Sequence, residues 1–182
     1  MDLHIFIYNE IGEYGTTADE VQKQIVNNTD CDNIIVHISS PGGEVFEGWT
    51  IGNILKNSNK PVTVLIEGLC ASIATYIALQ GNTIKMAETA RFMVHNPKTG
   101  VMGESKDLEN AVKQLDSIKG DLVKSYKKKT GINDKELSDM MDNETWLTPR
   151  EALAAGFIDE IIAPSKAVAY LNTNNNIMDK PY

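Results

Sequence analysis

The sequence predicts an α/β fold in which a parallel sheet is built from consecutive β-α-β units. Two runs carry most of this prediction. Asn33–Ser39 is β-branched and largely apolar, and Val62–Ile66 is apolar throughout, as strands buried between helices are. Each run is followed by a turn of small residues and then by a helical segment. That alternation implies parallel strands joined by right-handed crossovers.

The elements follow in order. Leu3–Tyr8 reads as a first strand, ended by Asn9-Glu10-Ile11-Gly12. Thr17-Ala18-Asp19-Glu20 has the form of a capping box, and Val21 and Ile25 continue it at helical spacing until Asn27–Asp30. After the second strand comes Ser40-Pro41-Gly42-Gly43, a turn signal in which two glycines let another chain approach the backbone. Its place at a strand end is where open α/β sheets hold their ligands. A helix over Val45–Leu55 leads to the third strand, then to Gly68-Leu69-Cys70-Ala71-Ser72-Ile73-Ala74 and a short helix, apolar nearly all round, through Leu79.

Thr83–Met86 and Arg91–His95 read as short strands, and Asn96–Gly103 as an exposed hairpin or edge strand. A long helix covers about Lys106 to Thr130. Its apolar stripe is Leu108, Val112, Leu115, Ile118, Leu122 and Tyr126, which packs either on its own domain or on a partner. Gly131 stops it, and Asp134–Asn143 forms a shorter polar helix. Thr148-Pro149-Arg150-Glu151 opens a helix over Ala152–Ala155, which Gly156 ends, and Phe157–Ile162 is a last strand. The polar end, with Asn172–Asn176, is expected to be disordered.

Composition narrows the function. The chain has 182 residues, 42% hydrophobic and 23% charged, with a net charge of −8. One domain with a core of its own fits that length. The acidic balance argues against nucleic acid as a partner. No apolar run approaches membrane-span length and no signal-peptide pattern opens the chain, so a cytoplasmic protein without membrane contact is expected. Cys31 and Cys70 form neither a metal motif nor a disulfide framework, and both are expected reduced and structural.

Ser72 lies between the third strand and its helix. As a helix N-cap it would do a common job for serine. As a nucleophile it would use the outward-pointing amide of Ile73 against a developing negative charge. Of the three histidines, His4 and His37 lie inside strands and are expected packed or solvent-facing. His95 ends a strand beside a loop, where it can take a proton from a serine. Asp142 and Glu144, both in the turn before Trp146, are the carboxylates that could orient it, and spacing does not choose between them.

Four motifs in this order resemble the Clp protease proteolytic-subunit family, most of all its prophage-encoded members. They are Ile38-Ser39-Ser40-Pro41-Gly42-Gly43, Gly68–Ala74, Phe92-Met93-Val94-His95-Asn96-Pro97, and Glu144–Ala152 running into Gly156–Asp159. The resemblance implies a Clp-protease and crotonase-like fold of stacked β-α-β units with a protruding handle helix. It implies one domain over 1–163, a handle at about 97–131, and a polar tail at 164–182. It places the nucleophile on Ser72, the base on His95 and the orienting acid on Glu144, where the family has aspartate, with Asp142 as the alternative. The oxyanion amides fall on Gly43 and Ile73. Substrate binding falls on Gly42 and on an edge strand of Gly100, Val101, Met102 and Gly103.

The activity implied is serine-type endopeptidase action on polypeptides inside a ring-shaped homo-oligomer, heptameric and single or double. Neither a cofactor nor a metal is implied. An AAA+ unfoldase is the family's partner. This sequence begins almost at the first strand, where the family has a pore-lining segment that helps engage that partner. The prophage likeness suggests head or scaffold processing. Two other readings are a crotonase-type acyl-CoA enzyme, which would need no serine–histidine pair, and a non-catalytic ring subunit. A signal-peptide-peptidase relative would need a membrane anchor and a lysine such as Lys60 or Lys85.

Overall fold

A computed structural model describes residues 1–163. The predicted disorder of the tail lies outside the described residues. The first crossover runs from β1 (Asp2–Ile7) through α1 (Ala18–Val26) to β2 (Asn33–Ser40). The second runs through α2 (Val45–Lys56) to β3 (Val62–Ala71), and α3 (Ile73–Ala78) leads on to β4 (Thr83–Ala87). Then come β5 (Arg91–Val94), α4 (Ser105–Thr130), α5 (Asp134–Asp142), β6 (Thr145–Leu147), α6 (Pro149–Ala154) and β7 (Glu160–Ile162). The sheet order is β1-β2-β3-β4-β7, with β5 beside β3 and β6 beside β5. Every pairing is parallel except β5 with β6.

The core lies where the apolar runs of β2, β3 and β4 meet α2 and α3. Val36, Ile38, Val64, Ile66 and Ile84 are fully buried there with Ile51 and Ile77. The expected burial on both faces does not hold: one face of these strands is fully buried, while the other, with Ile35, Leu65 and the polar Thr63, Glu67, Thr83 and Lys85, is only partly covered, so burial alternates along β3 and β4. The capping box at Thr17 is present, with the Thr17 side chain accepting from Glu20 N and Glu20 returning a bond to Thr17 N. The same box opens α6, with Pro149 in its first turn. Gly156 closes that helix at φ 79°: its amide donates to Leu153 O and that of Phe157 to Ala152 O. This is a Schellman end, which needs a left-handed residue.

β3 forks, and this positions everything that follows. Its first half, Thr63–Ile66, pairs with β4, while Leu69–Ala71 pairs with β5. Between the two, the register to β2 slips: Ile38 faces Ile66 but Ser40 faces Cys70. Extra residues in one strand of a pair bend it and re-aim its end. Gly68 lies in this bulge, where a Cβ would come within 2.6 Å of Ser39 Oγ.

Two further expectations need correction, and one strand is new. Asn96–Gly103 is irregular rather than strand, since nothing within the chain lies alongside to complete a ladder; no atom comes within 4 Å of a Cβ placed on Gly100. The last strand begins at Glu160, because Phe157 finishes the α6 turn and Asp159 is held by Ile84 through backbone and side chain. β6 was not foreseen. It has only three residues, with Trp146 half exposed, and so carries no apolar signal.

The long helix divides its stripe in two. Ile118, Leu122, Val123 and Tyr126 are buried in the chain's own core, while Leu108 and Val112 are exposed.

Candidate active site

Ser72 ends the forked strand. Its amide donates to Met93 O at 3.0 Å, prolonging the β3–β5 ladder by one bond. Its backbone is at φ 57° and ψ −130°, and its side chain makes no cap bond to α3. The helix-cap reading of this serine therefore fails. A non-glycine residue at positive φ is strained by about 1–3 kcal/mol and persists only where its surroundings hold it. Three contacts do so here: the ladder bond, Thr75 N donating to Ser72 O at 3.0 Å, and Thr75 Oγ1 donating to the same oxygen at 2.6 Å.

His95 follows β5, and the β3–β5 pairing brings it beside Ser72. Its Nε2 lies 2.8 Å from Ser72 Oγ. Its Nδ1 is buried and has no hydrogen-bond partner. Glu144 Oε2 is the acidic atom facing it, at 3.5 Å. A proton on Nδ1 would point at this carboxylate and leave Nε2 free to accept from the serine.

Glu144 is half exposed, stands at φ 47°, and also lies 3.4 Å from Lys98 Nζ. The Lys98 ammonium, then the Trp146 side chain and, least, His95 hold its carboxyl below the usual carboxylate range. Asp142 turns elsewhere: its Oδ1 accepts from Asn96 Nδ2 at 2.7 Å and from Lys119 Nζ at 2.5 Å. Of the two candidate acids, the structure brings Glu144 to His95 and ties Asp142 to Asn96 and Lys119.

The glycine doublet lies against this pair. Gly42 has φ 95°, and a Cβ on it would come within 2.6 Å of Ser72 Cβ and 3.2 Å of Ile73 N. Gly43 has φ 150°, and a Cβ would overlap Ile11 O at 2.0 Å. Ile11 pins the segment through Ile11 N to Gly42 O and Glu44 N to Ile11 O, both 2.8 Å. In a parallel bridge of this form the middle residue turns its own amide to the other side. Among the described hydrogen bonds neither Gly43 N nor Ile73 N donates. Ile73 is the first residue of α3, where amides have no intrahelical acceptor.

Gly100, Val101, Met102 and Gly103 lie on the exposed irregular segment, with the Met102 side chain wholly open. His37 is buried, bonded through Nε2 to His4 and through Nδ1 to Glu67, and takes no part in the site. Cys70 is fully buried, and burial pushes its thiol well above the usual range. The hollow between α1 and α2, lined by Ile25, Ile54 and Lys60 among others, shares no residue with the serine–histidine pair. Among the described residues no group of His, Cys, Asp and Glu could hold a metal ion, and no helix is long and apolar enough to cross a membrane.

Sequence reasoning missed Ser40, Thr75, Tyr126 and Lys98. Ser40 Oγ donates to Asn9 O and accepts from Gly42 N, fixing the entry to the glycine turn. The Ser-Pro-Gly spelling carries a signal for that contact, because serine bonds backbone two residues on. Lys98 carries none.

Comparison with known proteins agrees with this arrangement. The family model described as Clp protease matches residues 1–165. The chain is 29% identical over 171 residues to an ATP-dependent Clp protease proteolytic subunit of Porphyromonas gingivalis, covering 91% of this chain and 76% of the relative. It is 30% identical to the subunit of that name from Bacteroides fragilis, covering 89% of this chain and 80% of the relative. It is 35% identical to ATP-dependent Clp protease proteolytic subunit 1 of Protochlamydia amoebophila, over 71% of this chain and 65% of that protein. The forked strand, the serine on its strained end and the histidine beside it thus stand in a chain that belongs to the Clp protease family.

Proposed function

We propose that the chain is a serine endopeptidase subunit that hydrolyses polypeptides. The observation that carries this is the 2.8 Å contact between Ser72 Oγ and His95 Nε2, made on a serine held at positive φ. In this reading Ser72 Oγ attacks the scissile carbonyl carbon as His95 Nε2 takes its proton. The carbonyl oxygen becomes an anion facing the unpaired amides of Gly43 and Ile73. His95 then gives its proton to the leaving amine, and the peptide bond breaks to an ester on Ser72. Water, deprotonated by the same imidazole, releases the product acid and restores the serine. Glu144 stabilises the imidazolium from the Nδ1 side.

In this reading Gly42 and the exposed segment Gly100–Gly103 pair backbone to backbone with an extended substrate, a mode that reads side chains loosely. The words ATP-dependent and subunit in the relatives' names support an assembly served by an ATP-dependent partner, and we take that assembly to be a ring-shaped homo-oligomer. The exposed half of α4 supports a subunit contact.

Fluorophosphonate labelling combined with hydrolysis of a fluorogenic peptide tests the activity. Wild type is expected to label at Ser72 and cleave, and Ser72→Ala to do neither. Equal inertness of the two proteins in assembled particles would support a scaffold subunit instead. Acyl-CoA turnover that survives Ser72→Ala would support a crotonase-type enzyme.

A further inference from the structure

We propose that Lys98 is a positioning residue of this site: it shares the Glu144 carboxylate with His95 and so sets where the orienting acid points. The inference rests on the serine-peptidase reading above. One oxygen, Glu144 Oε2, lies 3.4 Å from Lys98 Nζ and 3.5 Å from His95 Nδ1. The lysine contact counts as a hydrogen bond, whereas His95 Nδ1 is left buried without one. A buried polar atom with no partner beside an available carboxylate marks a carboxylate held back. Glutamate has the rotatable arm that makes two positions possible.

The other charges nearby are already engaged. Lys119 of α4 and Asn96 both bind Asp142, so neither competes for Glu144. On the α3 side the imidazole meets the neutral hydroxyl of Ser72. The charges that act on His95 are thus Glu144 and the lysine that restrains it together with the uncharged Trp146 side chain, with Asp142 and Lys119 paired to each other. Asn96–Asp142 and Lys98–Glu144 together clasp the segment after His95 to the acidic turn at two points.

Removal of the ammonium has two consequences of opposite sign. The carboxylate is released toward Nδ1, so the base is better aligned and the plateau of kcat/KM rises. The imidazolium also gains a nearer anion and loses a neighbouring cation. Its protonated form is then favoured, and the acid limb moves to higher pH. The two pH profiles therefore cross. A lysine that only supported the fold would lower the plateau and leave the limb in place. Lys98 is exposed at 71% of its side chain, so its replacement disturbs little packing.

The experiment measures kcat/KM against pH for a fluorogenic peptide, on assembled fractions of wild type, Lys98→Met and Lys98→Arg. Lys98→Met is expected to raise the plateau roughly two- to fivefold, the range an exposed ion pair commands, and to move the acid limb up by about half a pH unit. Lys98→Arg, which keeps the charge, is expected to follow wild type. In a Glu144→Gln background the Lys98→Met change is expected to be silent, because the shared group is gone. Lys98→Gln replaces Lys98→Met if the latter does not assemble. Superimposed profiles, a lowered plateau with an unmoved limb, or an undiminished effect in the Glu144→Gln background would each overturn the role of Lys98. Absence of fluorophosphonate labelling at Ser72 in every variant would instead overturn the peptidase reading on which it rests.

Discussion

Gly42 has no room for a side chain. At φ 95°, a Cβ would lie 2.6 Å from Ser72 Cβ and 2.8 Å from Ala71 O, closer than such contacts occur. Relief requires that either the glycine turn or the serine move. Gly42→Ala is therefore expected to destabilise the fold by about 1–3 kcal/mol. Its effect on catalysis is expected to be larger, on the order of a hundredfold, because a shift near 1 Å at a reacting atom costs that much. Denaturant midpoint and kcat/KM measured on one preparation check the pair of effects. A variant with wild-type turnover would show that the turn yields without moving Ser72. At this scale the sequence was informative where residue type alone implies chemistry: a serine and a histidine at strand ends, and a glycine doublet before a helix. It was silent where the role is set by a neighbour far along the chain. The ladder bond that helps hold Ser72 at positive φ comes from Met93, and the attachment of Asp142 follows from Asn96 and Lys119.

The elements are joined to the site by a short polar relay. Tyr126 of α4 is buried, as is Thr75 of α3, and their hydroxyls lie 2.8 Å apart. Thr75 has one hydroxyl proton and donates it to Ser72 O, so Tyr126 is the donor to Thr75. Burial is the main reason the Tyr126 phenol stays protonated far above its usual range. The two ends of this relay differ in what their loss leaves behind. Tyr126→Phe leaves Thr75 with its acceptor. Thr75→Val leaves a buried Tyr126 hydroxyl with no acceptor and takes a bond from the strained serine. Thr75→Val is thus expected to be the more destabilising, by about 1–3 kcal/mol against about 1 kcal/mol, and to lower turnover as well. Urea unfolding of the two variants tests the order, and the reverse order would assign the proton the other way. The first three strands carry a second network, His4–His37–Glu67–Tyr8. Burial and then the neighbouring His37 lower the pKa of His4 from 6.5. Burial pushes Glu67 up, but bonds from His37 and Tyr8 outweigh it and leave the group below 4.5. In both cases the unfolded chain binds more protons in the window between the two pKa values, so stability rises with pH there. The thermal midpoint is expected to fall as pH drops below about 6.5 and again below about 4.5. His4→Gln is expected to remove the upper step, and an unchanged profile would exclude His4 as its source. Elements with explicit end signals, such as the Thr17 and Thr148 boxes and the stops at Gly131 and Gly156, were legible from sequence. β6 and the shortened β7 were not, because their extent depends on pairing with β5 and β4 rather than on their own residues.

At the scale of the whole molecule, α4 poses a question that a single chain leaves open. Its 26 residues make a helix about 39 Å long. Only its C-terminal half packs on the core. The sequence offered own-domain packing and partner packing for one stripe, and the two halves divide those roles. Leu108 and Val112 are 48% and 58% exposed, one turn apart on the same face, and Val101 and Met102 on the segment before the helix are exposed as well. Ion pairs such as Lys124–Asp121 and a capping box at Glu104 maintain the helix without covering that face. Burial of a leucine or valine side chain in a subunit contact contributes about 1.5–3 kcal/mol, and the proposed ring would repeat the contact once per subunit. Leu108→Lys with Val112→Lys is therefore expected to shift the sedimenting species toward the monomer while the thermal midpoint of that monomer stays near that of the dissociated wild type. Because Ser72 and His95 meet within one chain, the dissociated variant is expected to retain fluorophosphonate labelling. Sedimentation and labelling of the same fractions separate the outcomes. An unaltered assembly would place the subunit contact elsewhere than the open half of α4. A dissociated variant that no longer labels would show that neighbouring subunits, rather than the β3–β5 ladder alone, hold Ser72 against His95.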